Sequence, residues 1–247
     1  MPLPAPKASV LVTAGIAGLS CLLLVAWSVL VWRASPSSQR VSTTLRFTAL
    51  TVGWAVLTGG LASAGVFARI DARPPPFMLV PAGLVIGVVL LVRSRFGALL
   101  ATTPLWILVG LQAFRLLLEL VMHQAAREGT MPAQMTFGAV AGRTGFNYDI
   151  VTGSTALLLA IALRAGRVPR AVVLAWNVLG SALLLAIVVI GIGSTPLFAR
   201  FGSSPEQLNT WVLYAPFVWL PAILVGSAFL GHVLIFRALA KPSAPTT

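Results

Sequence analysis

Acid is the scarcest chemistry in this chain, whose 247 residues contain only five Asp and Glu against seventeen Lys and Arg. Charged residues of both signs make up 9% of the sequence and apolar residues 58%. That leaves too little polar surface to cover a soluble globule, so the composition reads as an integral membrane protein. Cysteine is nearly absent: Cys21 alone cannot form an intramolecular disulfide, and it falls in the first apolar run, where packing is its ordinary use. With no Cys and His cluster, structural zinc is excluded. Lysine is limited to Lys7 and Lys241, both outside the apolar runs, which excludes a retinal Schiff base. No glycine-rich phosphate loop precedes a lysine. Ser227 and His232 lie five apart on one expected helix and point to different faces, which excludes an intramembrane serine protease.

What the chain does have is apolar sequence in runs, near 8–32, 46–68, 77–92, 97–122, 149–164, 170–193 and 213–237. Most are long enough for a hydrocarbon core about 30 Å thick, while 77–92 and 149–164 are short and need help from their flanks. The expected fold is therefore an all-α polytopic membrane bundle of about seven transmembrane helices. The first run exceeds the apolar core of a secretory signal and reads as the first helix. One domain is expected over 1–241, with a disordered tail over 242–247 and no internal repeat. Small residues at 14–18, 60–64 and 180–182 suit close helix contact. Pro216 and Pro221 read as devices that shape the last helix.

The net charge of +12 does not point to nucleic acid, because the basic residues are scattered over short loops. Sorted by the sides that seven spans would define, one side holds Arg33, Arg40, Arg46, Arg93, Arg95, Arg164, Arg167, Arg170, Arg237 and Lys241, with no acid. The other mixes Lys7, Arg69, Arg73, Arg127, Arg143 and Arg200 with Asp71, Glu128, Asp149 and Glu206. The positive-inside rule then expects the N-terminus outside and the C-terminus cytoplasmic, in a plasma (inner) membrane. Trp211, Tyr214 and Trp219 fit an outer aromatic belt, and Trp27 and Trp32 an inner one.

The candidate site begins with Gln112, Arg115, Glu119 and His123. On one helix through 105–122 they fall within an arc of roughly 80°, a polar stripe in an apolar span. Ionisable groups inside a membrane span are functional candidates. Arg115 and Glu119, four apart, can form an ion pair that either holds helices in register or sits at the heart of an outward-facing pocket. The Glu119 and His123 spacing resembles that of paired metal ligands, but His232 is expected near the cytoplasmic end, roughly a membrane thickness from His123. No metal site is therefore assigned and no cofactor is identified.

The longest connection, Gln124 to Tyr148, is apolar enough to fold over the outer mouth as a lid or to lie as a surface helix, with a short helix starting at Thr130 and Pro132. Asn147 and Asp149 open the next span, as a helix cap or as partners of Arg115 and Glu119. The segments FRLLLELVMH, GTMPAQMTF and NYDIVTGSTA between Phe114 and Ala156 resemble a group of uncharacterised bacterial multi-pass membrane proteins that carry Phe-Arg, a Glu one turn on, Met-Thr-Phe and Asn-Phe-Asp-Ile in this order. Here the stretch from Phe137 to Asn147 is longer and Tyr148 replaces Phe. The resemblance implies that Arg115, Glu119, Met135, Thr136, Asn147 and Asp149 form one site, and it implies no chemistry for that site. Three functions stay open on the sequence. The first is binding of a small polar ligand or proton for transport or sensing. The second is an enzyme acting on a lipid or lipid-linked substrate at the outer leaflet, with Glu119 or Asp149 as base and His123 as acid or metal ligand. The third is a structural subunit.

Overall fold

The computed structural model describes residues 5–240, and the tail expected over 242–247 lies outside them. Among the described residues the chain is a bundle of α-helices, with one two-stranded hairpin and several short turns. Six helical segments are long and apolar enough to cross a membrane: Val10–Ala34, Ser37–Ser63, Pro76–Arg93, Leu105–Arg127, Arg170–Gly193 and Leu220–Ala240. A seventh apolar helix, Ile150–Arg164, has 15 residues and reaches only about 22 Å at 1.5 Å per residue.

The punctuation explains most boundaries. Ser9 caps α1 (Val10–Ala34) by accepting from the Val12 amide at 3.3 Å, and Pro36 separates it from α2 (Arg40–Ser63). Arg40 and Arg46, expected in a loop, are therefore the first turns of α2. Three prolines lead into α3 (Leu79–Arg93), and Ser94 caps the short α4 (Arg95–Leu100) through the Phe96 amide at 3.1 Å. The expected run 97–122 is divided: Pro104 restarts the chain as α5 (Leu105–Leu111), which continues into α6 (Phe114–Arg127). After the hairpin Ala139–Val140 with Arg143–Thr144 come α7 (Ile150–Arg164) and α8 (Arg170–Gly193). The last run starts later than expected. Residues 211–218 form turns, and a wide turn over Leu220–Val225 containing Pro221 leads into α9 (Gly226–Ala240).

This last span is the strut of the bundle, packing on α1, α2, α3, α5 and α8. Two indoles lock it to α2: Trp54 Nε1 donates to Ala222 O at 3.0 Å and Trp219 Nε1 to Ala55 O at 2.9 Å. Trp219 lies against Gly59, and Trp211 is buried against Phe217, so neither belongs to an interfacial belt in the simple sense expected. Cys21, expected to be packed, is exposed on the face of α1. At the bundle end that carries the hairpin, Glu128 accepts from Gln124 Nε2 at 2.7 Å and from the Ser9 amide at 3.0 Å. These hydrogen bonds hold its carboxyl below the usual carboxylate range. At the opposite end Arg237 donates to Val92 O at 2.6 Å.

Candidate functional site

The polar stripe is not carried by one regular helix. The amides of Gln112, Ala113, Arg115 and Leu116 bond to carbonyls three residues back, at 3.0, 3.0, 3.1 and 3.1 Å. This tightened turn between α5 and α6 changes the helical phase at the first stripe residue. Gln112 packs against Gly231 and reaches Ala228 O at 3.5 Å, leaving its Oε1 buried without a partner among the described residues. One turn on, Arg115 is buried at the centre of the bundle, where its expected pairing is overturned. Its Nε donates to Asp149 Oδ2 at 2.6 Å and its Nη2 to Asp149 Oδ1, which makes a two-point ion pair across 34 residues of sequence. Such a fork satisfies both carboxylate oxygens at once, which a neighbour on the same helix cannot match as readily.

Arg115 also corrects the position of His232. Nη1 lies 2.6 Å from His232 Nε2, so His232 is in the middle of the protein and not towards a membrane surface. The late start of the last span explains this, since α9 continues to Ala240 and carries His232 back towards the bundle centre. Because a guanidinium only donates, Nε2 is the acceptor and Nδ1 carries the proton. That proton has its acceptor in Asn177 Oδ1 at 2.7 Å, while Asn177 Nδ2 donates to His232 O at 3.1 Å. Arg115 Nη2 makes a further contact with Gly180 O at 3.3 Å. Glycine is required there by space: a Cβ on Gly180 would stand 2.8 Å from His232 Cε1 and 2.9 Å from Thr152 Cγ2. Gly153 on α7 likewise lets the backbone at Arg115 and Leu116 approach directly. His232, Asn177, Gly180 and Gly153 were missed as site residues. Asn177 did leave a signal, as a lone amide in the middle of an apolar run.

Glu119 is held from the other side. Asn147 Nδ2 donates to Glu119 Oε2 at 2.6 Å and makes a longer contact with Met135 O at 3.2 Å. Asn147 Oδ1 accepts from the Asp149 amide at 3.0 Å, so one side chain both orders the start of α7 and ties it to α6. The segment expected as a lid or surface helix instead enters the bundle. Thr130 to Thr136 form a buried turn, and Gln134 donates to Ser194 Oγ at 3.1 Å and to Gln207 O at 2.8 Å. Asn147 N completes the inward loop by donating to Thr136 O at 3.1 Å. Irregular backbone at this depth is tolerated because protein groups satisfy it.

His123 does not join the charged cluster. Its Nδ1 stands 3.2 Å from Thr136 Oγ1 and its ring stacks on Phe137, so the Glu119 and His123 pair faces two different sets of partners. Arg115, Glu119, Asn147 and Asp149 are thus brought together around one network, Met135 is linked to it through its carbonyl, and Gln112, His123 and Thr136 sit beside it.

The network forms part of the wall of a cavity of about 440 Å³ between α3, α6, α8 and the last span. Arg115, Glu119 and Asp149 supply charge at one place, and almost everything else is apolar, including Phe77, Leu84, Phe114, Leu184 and Leu224. Met135 also lines it. The volume lies within the range of about 300–1,000 Å³ typical of small-molecule sites. No family model matches the chain, and no curated protein or solved structure matches it either.

Proposed function

We propose that this membrane-embedded protein holds an amphiphilic lipid or lipid-linked molecule in the cavity, with its polar end at the Arg115, Glu119 and Asp149 cluster. The observation that carries this reading is the contrast between a charged patch and an otherwise apolar wall. A small polar solute would leave most of that wall without contacts that favour it, whereas a hydrocarbon chain packs against it along its whole length through dispersion contacts. Glu119, fixed by Asn147 and lining the cavity, is the group placed to exchange a proton with a bound head, which is the form an enzymatic role would take. Transport or sensing of a proton or small polar ligand is the second reading. Its support is the charged network itself, buried at the middle of apolar spans where such groups mark function.

The orientation proposed with this reading places the hairpin end of the bundle outside and the arginine-rich end in the cytoplasm of a cell bounded by its plasma membrane. Native mass spectrometry of the protein purified beside Glu119→Gln tests the functional reading. A lipid-like adduct is expected on the wild type and is expected to be lost from a folded variant. A small polar adduct, or none, would move the weight to the second reading.

A further inference from the structure

Two features of the cavity wall narrow what it can recognise. The first is that its polar atoms accept hydrogen bonds. Arg115, the one cation on the wall among the described residues, has partners at Nε, Nη1 and Nη2 in Asp149, His232 and Gly180. Ser181 and Thr195 direct their hydroxyl protons to Asn177 O and Ile192 O, each at 2.7 Å. What remains is the carboxyl group of Glu119 and the side-chain carbonyl of Asn209. Asn209 lines the cavity, is 4% exposed and has no partner at Oδ1 among the described residues, although its Nδ2 donates to Gly191 O at 2.9 Å. A buried acceptor without a donor is unfavourable by about 1–3 kcal/mol, so a bound group that donates would relieve it. An anionic head would meet two carboxylates and an arginine that is already paired.

The second feature is shape. The wall follows α8 from Ser181 to Ile192, about 17 Å at 1.5 Å per residue, so the cavity is a slot along the helix. At the hairpin end it is closed by buried Met135, Asn209 and Val212. On the flank, α3 and α8 each pack on α9 and make little contact with each other. The lining residues on that flank, Val85, Leu185 and Phe229, are 51%, 63% and 39% exposed and all apolar. Such side chains face hydrocarbon in a membrane.

We propose that the cavity takes a single-chain amphiphile whose head donates hydrogen bonds, a hydroxyl or an ammonium, and that it enters sideways from the bilayer between α3 and α8. This rests on the reading of the cavity as a lipid-binding site and adds the head chemistry and the route. The head lies against Glu119, the chain lies along the slot, and Asn209 Oδ1 is the second acceptor on the wall.

The test uses the full-length protein in phosphatidylcholine nanodiscs loaded equally with hexadecanol, hexadecylammonium or hexadecyl phosphate, read by native mass spectrometry and by the unfolding temperature. One alcohol or ammonium is expected per protein, retained at least tenfold more than the phosphate, and whichever of the two is retained identifies the head. Leu185→Trp, at an exposed position that does not burden folding, is expected to slow loading at least tenfold without changing the unfolding temperature of the unloaded protein. Retention of the phosphate as strongly as the other two would overturn the head assignment while leaving a lipid site in place. Unchanged loading of Leu185→Trp would overturn the route. If none of the three probes is retained, the lipid reading itself falls and this inference falls with it.

Discussion

Asp149 and Glu119 are two carboxylates within one network, and their different partners set different consequences for losing the charge. Asp149 neutralises a buried guanidinium, so Asp149→Asn strands a buried cation. Breaking a buried pair from one side costs about 3–5 kcal/mol. Glu119 receives one hydrogen bond from the Asn147 amide, and Gln at 119 still offers a carbonyl oxygen to that donor. Glu119→Gln is therefore expected to cost about 1 kcal/mol or less. Removing both members of the ion pair, in Arg115→Met with Asp149→Leu, is expected to be less damaging than Asp149→Asn alone, since apolar replacements of a buried pair are often neutral. Thermal unfolding of the four proteins in the same nanodiscs checks the order. A Glu119→Gln protein less stable than Asp149→Asn would mean that Glu119, and not Asp149, carries the balance of Arg115.

At the level of elements, α7 is the part of the fold that hydropathy describes least well. Its start at Asp149 meets Arg115 in mid-bundle, so the residues before it lie at depth although they belong to a connection. Tyr148 is 57% exposed beside that start, and the lipid reading places its side chain in hydrocarbon. In a Cys21→Ser background, Tyr148→Cys is expected to resist a membrane-impermeant maleimide, while Arg143→Cys, at the exposed hairpin, reacts freely. Equal reaction rates would place the start of α7 at the aqueous surface. The helices themselves were legible because length and apolarity are properties of one stretch of chain, and Pro36, Pro104 and Gly65 mark their limits locally. The turn at Gln112 and Ala113 was not, since a lone Gly110 in an apolar helical run does not by itself announce a break. The grouping of Arg115, Glu119, Asn147 and Asp149 was legible from residue type, because each is expensive in an apolar environment. Their pairing was not. The four-residue rule favours Arg115 with Glu119, and only the inward fold of the segment from Thr130 to Tyr148 brings Asp149 to the guanidinium first.

For the whole molecule, sidedness depends on where the unpaired basic charge gathers. The ends of α3 and α9 meet through Arg237 and Val92, which brings Arg93, Arg95 and Arg237 to one end of the bundle. At the other end Glu128 joins the start of α1 to the end of α6, so basic residues there share the surface with acid. The short α7 does not change this sorting, because it still delivers Arg164 to the arginine-rich end from a start in mid-bundle. Six helices long enough to cross a membrane and one shorter helix are therefore expected to give the same sidedness as seven full spans. A reporter pair fused after Thr247, one active only in the cytoplasm and one only outside, is expected to report a cytoplasmic C-terminus, and Arg143→Cys in intact cells is expected to react from outside. An external reporter with an unreactive Arg143→Cys would invert the molecule. The lateral entry between α3 and α8 would survive that inversion, because a route through the flank of a bundle depends on neither face.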